Sequence, residues 1–381
     1  MVGKDVLPPL VGINAHLLAE EAGYRRAGIH QYMAQVLRHL PKNGRFAIFT
    51  RHPLDFLPPG QCKRLPTRWP TGRRLVRILW EQIGWPWQAW RERIDLLHAM
   101  AFVTPILSPC PTVVTVFDLS FIHTPDSFPR LQRLYLHSQT ARSCRQARRV
   151  ITISESGRQD VHRYFGVPLE KIDVVLPGVE PIYRPLPAAD VTAFRQREGL
   201  PAQFLLHVGT LQPRKNIPVL LEALAQINRP ELQLVLVGGK GWLFDDIFAR
   251  VQGLGLQNQV RFTGYVPDDV LPLWYNAATL LLFPSLYEGF GLPILEAMAC
   301  KTAVIAANTS SIPEAVGNAG LLFDPHNPAQ LAERILSVLD DPAQLATMQQ
   351  RGLAHAHLFS WERAGRETAV VYQRALQESG D

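Results

Sequence analysis

The 381 residues are 47% apolar and 19% charged, a globular composition that excludes a disordered chain and gives enough length for two compact domains. The net charge of +6 is uneven: 25 Lys and Arg stand against 14 Asp and Glu up to Arg184, and 14 against 19 beyond it. No stretch reaches the roughly 18 uninterrupted apolar residues of a membrane-spanning helix, and Met1–Leu10 has no cationic flank leading into an apolar core, so neither a spanning segment nor a secretion signal is expected.

Short apolar runs alternate with amphipathic stretches along the whole chain. The predicted strands of the first half are Leu10–Ile13, Arg45–Phe49, Leu96–His98, Thr112–Val116 and Val150–Ile153, with helices at Ile29–Leu40 and Arg130–Arg145. The proline-dense segment from Pro177 to Pro201, with one short polar helix at Ala193–Glu198, marks the junction. A second series follows, with strands at Phe204–Val208, Gln233–Val237, Val260–Phe262, Leu280–Phe283 and Ala303–Ala306, and helices at Ile217–Gln226 and Pro328–Leu339. Nearly continuous apolar strands alternating with helices make parallel sheets covered on both faces. The expected fold class is α/β with two Rossmann-like domains, residues 1–184 and 185–360, and a last amphipathic helix from Trp361. Open parallel sheets bind ligands beyond the carboxyl ends of their strands, which places the expected site in a cleft between the domains.

The chemistry concentrates in Phe283–Met298, FPSLYEGFGLPILEAM. An apolar strand ending at Phe283 feeds a turn through Ser285, then Gly289-Phe290-Gly291-Leu292, with Pro293 opening a helix. Glycines let backbone amides approach a ligand, and a fresh helix N-terminus favours negative charge. Glu288 and Glu296, with seven residues between them, bracket this turn. Alone, each acid reads as a solvated loop residue or a helix-start acid favoured by the dipole; paired around a Gly-x-Gly turn, they point to a site. The second segment is LHVGTLQPRKNIPVL, Leu206–Leu220. Its strand ends in a turn at Gly209-Thr210, and Arg214 and Lys215 stand just before the next helix. There a guanidinium fork and an ammonium point charge suit a diphosphate, although an Arg-Lys pair by itself is more often an exposed basic turn.

These motifs resemble the retaining GT-B glycosyltransferases of family four, and the resemblance runs along essentially the whole chain. EGFGLPILE matches the family's Glu-x7-Glu motif, and GTLQPRKN its diphosphate-binding segment. Counterparts also exist for LVLVGGKGW (Leu234–Trp242), VRFTGYVPDDVLPLWYNAATLLLFPS (Val260–Ser285), VITISESGRQDV (Val150–Val161) and GYRRAGIHQY (Gly23–Tyr32). The resemblance implies a GT-B fold whose two domains face a central cleft, with the last helix crossing back to the amino domain. It implies that Arg214 and Lys215 neutralise the donor diphosphate, that Glu296 holds the ribose, and that Glu288 faces the sugar. Amides of Phe290, Gly291 and Leu292 would hold sugar hydroxyls and phosphate, with Gly209, Ser285 and Gly289 shaping the same cradle. The backbone at Tyr265–Val266 would meet the base, and Gly28 would let the amino domain approach the donor phosphate. Where relatives commonly carry His-Asp, this chain has Phe117-Asp118, which removes one expected sugar contact. Asp118 remains a candidate catalytic contact beside its reading as a turn cap.

The expected reaction moves a sugar, with mannose the first expectation, from a nucleotide-diphosphate sugar to a glycan or lipid-linked acceptor, with the anomeric configuration retained. No Asp-x-Asp triplet occurs in the sequence, so the diphosphate is expected to be held without metal or other cofactor. Four separate cysteines, Cys62, Cys110, Cys144 and Cys300, suggest isolated thiols in a reducing cytoplasm. Gln61–Arg93 holds five of the eight tryptophans and eight Lys and Arg against two Glu. That mixture fits an anionic membrane surface at the inner face, or an ordinary core helix with its tryptophans inward. Interleaved aromatics and cations also suit single-stranded nucleic acid, but no nucleic-acid fold signature accompanies them, so no such partner is expected. Two readings compete with transfer. A non-catalytic sugar-nucleotide-binding relative would keep the same motifs; a dinucleotide-dependent oxidoreductase would need a G-x-G-x-x-G turn that the chain lacks.

Overall fold

A computed structural model describes residues 8–18, 28–51, 54–57, 60–67, 69–239 and 245–378. Gly23–Ala27 of the amino-terminal motif, Arg68 in the tryptophan-rich segment and Lys240–Trp242 lie outside the described residues. The chain divides into two compact units, Met1–Gly178 with Trp361–Asp381, and Val179–Ser360. Val179–Arg184 therefore belong to the second unit and not, as expected, to the first. The reason is local packing: Tyr183 meets the Tyr275 ring edge-on, and Asn276 hydrogen-bonds both the Arg184 carbonyl and the Leu186 amide.

The first unit carries seven strands: β1 Leu10–Asn14, β2 Arg45–Thr50, β3 Lys63–Pro66, β4 Leu96–Ala99, β5 Thr112–Val116, β6 Arg149–Thr152 and β7 Ile172–Val174. They form one sheet in the order β3-β2-β1-β4-β5-β6-β7, and every pairing is parallel. The second unit has six, β8 Phe204–Val208, β9 Gln233–Val237, β10 Val260–Gly264, β11 Leu280–Phe283, β12 Ala303–Ala307 and β13 Leu321–Phe323, in the order β10-β9-β8-β11-β12-β13, again all parallel. Central strands such as LVGIN, TVVTV and FLLHV are buried along their full length, as two-sided coverage by helices requires. Both sheets are α/β doubly wound, so each has one place where the strand order reverses. In the second unit that place lies between β8 and β11, with Leu280 opposite Leu205. β3, β7 and β13 escape the sequence reading because they are edge strands of only three or four residues.

The last helix, Trp361–Gln377, belongs to the first unit. Its Tyr372 hydroxyl lies 2.7 Å from Nδ1 of His98 on β4, while Nε2 of that ring meets Thr115 Oγ1 at 2.8 Å. Burial pushes His98 down to about 3, so the ring is neutral and acts as a structural bridge. Arg374 pairs with Asp173, which also receives a two-pronged contact from Arg149. Trp361 packs edge-on against Tyr32 of the helix Ile29–Arg38. Gly365 lies where the two helices cross, and a β-carbon there would overlap the His39 carbonyl oxygen. Gly365→Ala should therefore lower unfolding stability by about 1–3 kcal/mol, read as a shifted urea midpoint; an unchanged midpoint would mean the helices separate without cost.

Candidate donor site at the switch point of the second unit

Two loops meet above the carboxyl ends of β8 and β11. The first runs from Gly209 to Asn216 and the second from Pro284 to Gly291. The Leu286 amide donates to the Arg214 carbonyl at 2.8 Å, and the Arg214 guanidinium donates to the Tyr287 carbonyl at 2.9 Å. Asn216, left-handed with φ 52°, begins the helix Ile217–Ile227 and sends its amide nitrogen to the carbonyls of Pro284 and Pro325. Asn tolerates this backbone better than most residues. Gly238, at the end of β9, has no room for a side chain, because a β-carbon would overlap the Gly209 carbonyl oxygen. The Gly209 turn is thus fixed from a third strand.

The loops bring two adjacent cations to a carboxylate 73 residues away in sequence from Lys215. Glu288 Oε1 accepts from Lys215 Nζ at 2.6 Å, and Oε2 lies 2.7 Å from Arg214 Nη1. Lys215 and Glu288 are almost enclosed and Arg214 about one-fifth exposed. The Lys215 ammonium also lies over the Phe283 ring, 5.1 Å from its centroid. Burial alone would raise the Glu288 carboxyl, but the charges of Arg214 and Lys215 and their hydrogen bonds outweigh it and hold the group at about 2. At neutral pH Glu288 is therefore a carboxylate with no proton to donate. Its backbone is fixed as well: the amide donates to Ser310 Oγ and the carbonyl accepts from Ser311 Oγ.

The helix Leu292–Ala299 starts at Gly291, whose φ of 113° is open to glycine and strained for other residues. Pro293 sits in its first turn, and no side chain caps its N-terminus. Phe290 is buried against Phe359, which anchors the turn through Gly289. Glu296 lies one turn inside the helix, buried, with Oε2 accepting from the Tyr275 hydroxyl at 2.8 Å. Burial, with the Glu296 charge behind it, pushes the Tyr275 phenol well above its usual range, so Tyr275 is a fixed donor. Val266 lies half-buried in the turn after β10.

Two buried polar atoms at these strand ends have no protein partner among the described residues: Ser285 Oγ and His207 Nε2. The His207 Nδ1 faces the Leu282 carbonyl at 3.1 Å, so it carries the ring hydrogen and leaves Nε2 an acceptor. Burial pushes this imidazole down to about 4, so it is neutral. Its Nε2 and Lys215 Cε each lie 3.4 Å from where a Gly209 β-carbon would stand. Buried polar atoms ordinarily find partners, and these two mark unmet hydrogen bonding beside the cations.

The structure thus gathers Gly209, Arg214, Lys215, Ser285, Glu288, Gly289, Phe290, Gly291, Leu292 and Glu296 onto adjoining loops and one helix start. Asp118 and Gly28 belong to the first unit. Asp118 Oδ1 accepts from the Ser120 amide at 2.8 Å, the turn-capping geometry. Phe117 is core, edge-on to Tyr32 and Phe102. Gly28, at φ 64°, precedes the helix Ile29–Arg38. Sequence reasoning missed His207, Tyr275, Ser310 and Ser311. The Ser-Ser-x-Pro run before a helix offered a faint signal for the serines; nothing in the sequence joined Tyr275 to Glu296.

The family profile described as "Glycosyl transferases group 1" matches residues 190–355, and that described as "Glycosyltransferase Family 4" matches residues 26–182. The chain is 36% identical over 265 residues to the O-antigen chain mannosyltransferase B of Escherichia coli, covering 68% of this chain and 70% of that protein. It is 30% identical over 396 residues to D-inositol 3-phosphate glycosyltransferase 1 of Catenulispora acidiphila, covering 94% of each. Among solved structures, Anabaena HepE in complex with UDP superimposes with a TM-score of 0.75 at 21% identity, over 96% of this chain and 100% of that one.

Glu288→Gln should destabilise the protein by about 3–5 kcal/mol at neutral pH, because it removes the carboxylate that pairs with both Arg214 and Lys215. A carboxyl lowered on folding contributes stability above its unfolded pKa, 4.5 for glutamate, and loses it as pH falls toward about 2. The gap between wild-type and variant unfolding free energies should hold from pH 7 to 5 and narrow below that. A gap independent of pH would contradict the ion triad.

Proposed function

The chain belongs to the family 4, group 1 glycosyltransferases, and we propose that it transfers a hexose from a nucleotide-diphosphate sugar with retention of anomeric configuration. The observation that carries this reading is the ion triad of Arg214, Lys215 and Glu288 at the reversal point of the second sheet. Open parallel sheets bind ligands at that point. The triad has a net charge of +1, so a diphosphate meets cations already held in place.

Cleavage of the anomeric C–O bond puts negative charge on the departing diphosphate and oxocarbenium character on the sugar. Arg214, Lys215 and the Gly291 and Leu292 amides at the start of the helix Leu292–Ala299 are fixed donors for the first charge. Such preorganisation supplies the largest part of many rate enhancements. Glu288, ionised at neutral pH, serves as an electrostatic partner to the second charge and holds both cations in register; it does not protonate the leaving group. The acceptor hydroxyl attacks on the face the diphosphate leaves, and its proton passes to the departing phosphate oxygen. Glu296, oriented by Tyr275, receives the ribose hydroxyls. The Val266 turn meets the base, and Ser285 Oγ and His207 Nε2 gain their missing partners on the donor side. Phe117 is packed into the core, so sugar contact does not pass through a histidine at that position, and Asp118 is the remaining candidate there.

The two cations take the part that a metal would otherwise play at the diphosphate, and no resident cofactor is needed. Mannose is the sugar favoured by the likeness to the mannosyltransferase, and a glycan or lipid-linked saccharide at the inner membrane face the acceptor. Among the described residues no helix is long and apolar enough to cross a membrane.

Product analysis by proton NMR should show the donor's anomeric configuration preserved; inversion would overturn the mechanism. Arg214→Ala and Lys215→Ala should each reduce kcat/KM by about 100-fold or more, with activity undiminished in EDTA. A chain that binds the donor but neither transfers nor hydrolyses it is the non-catalytic relative instead.

A further inference from the structure

The first unit presents an amphipathic helix with its apolar side outward. Arg74–Leu79, Trp80–Gly84 and Trp85–Arg91 run on without a break, the middle five residues as a π-turn. The continuous helix is about 27 Å long. Its inner face is already satisfied. Trp80 and Trp85 stack with ring centroids 6.1 Å apart, Phe49 packs against both, and Ala89 is buried below them. His16 lies on Trp80 at 3.9 Å, so the helix is firmly mounted.

Its outer face carries Leu75, Leu79, Ile83, Trp87 and Trp90, which are 76%, 52%, 60%, 57% and 68% exposed. The first four follow at intervals of four residues. In a regular α-helix each such step overshoots a full turn by about 40°, which would wind the row around the helix. The π-turn, with more residues per turn, takes back part of that rotation and keeps the row on one side. Exposed Ile106 lies alongside, its amide donating to Gln82 Oε1 at 2.8 Å, with exposed Leu107 next to it. A contiguous apolar surface of this kind marks a docking site.

Cations stand at both ends of the row. Arg73 precedes the helix, and Arg91 and Arg93 are at its end; the Arg91 guanidinium lies over the Trp87 ring at 4.9 Å. The unit as a whole holds 27 Lys and Arg against 17 Asp and Glu, while the second unit holds 12 against 16. A second copy is a poor occupant, because a symmetric contact would press these arginines against their own counterparts. The partner that takes indole and aliphatic side chains at its boundary and accepts arginines beside them is an anionic lipid surface.

We propose that the outer face of the helix Arg74–Arg91 docks this enzyme on anionic membranes, with Leu79, Ile83, Trp87 and Trp90 entering the headgroup boundary and Arg73, Arg91 and Arg93 meeting lipid phosphates. The purpose of this docking rests on the lipid-linked acceptor proposed above; its residues do not overlap the donor site. The full chain should co-float with vesicles of phosphatidylglycerol and phosphatidylcholine and stay unbound with phosphatidylcholine alone. Leu79→Glu with Ile83→Glu should reduce the bound fraction at least about tenfold, and Arg73→Gln with Arg91→Gln should weaken binding in a salt-dependent way. Both variants should keep wild-type melting temperatures and transfer to a water-soluble acceptor, which separates loss of docking from loss of catalysis. Brominated lipid should quench the wild-type tryptophan fluorescence, a readout needing no variant. Three results would overturn the proposal: no wild-type flotation with anionic vesicles, flotation unchanged in both variants, or a concentration-dependent dimer abolished by Ile83→Glu.

Discussion

Glu288 sits where loops from two neighbouring strands converge, and its charge is what lets Arg214 and Lys215 occupy one corner. Like charges about 4 Å apart repel by about 4 kcal/mol at an effective dielectric near 20. The carboxylate between them reverses that sign and draws the two loops together. The rest of the site depends on this closure. The Leu286 amide reaches the Arg214 carbonyl, Asn216 spans to Pro284, and Gly291 turns the chain into the helix that carries Glu296. A diphosphate arriving here adds negative charge to a cluster that is already assembled, so little side-chain ordering remains to oppose binding.

The parts of this arrangement legible in sequence were those with a local signature. Buried strands show as apolar runs, and the glycine turn before Pro293 shows as a strand-to-helix anion site, so Arg214, Lys215, Glu288 and Glu296 could be singled out. The contact between Glu288 and the two cations could not be read, because it depends on β8 and β11 being neighbours in the sheet. That is a consequence of strand order, and the sequence pattern is silent on it. The same holds for His98 and Tyr372, 274 residues apart and joined only when the last helix lies on the first unit. Asp118 illustrates the opposite case: its local role as a turn cap was visible, and the structure displays that role.

The tryptophan-rich segment divides along the same line. Composition alone left its aromatics open to core or surface, with core the commoner place for them. The structure separates them, with Trp80 and Trp85 enclosed and Trp87 and Trp90 facing out along one helix. The π-turn decides that separation, and no sequence periodicity based on regular turns anticipates it. The two units differ in charge: the second is acidic overall yet encloses Lys215 beside Arg214, and the first is basic overall.

The most direct test of the donor site is calorimetric titration with nucleoside diphosphates and the matching monophosphates, in EDTA. The account predicts that wild-type protein prefers the diphosphate and that this preference collapses when Arg214 and Lys215 are both replaced by alanine. Equal affinity for the two nucleotides in wild-type protein, or a diphosphate preference that survives the double replacement, would contradict it.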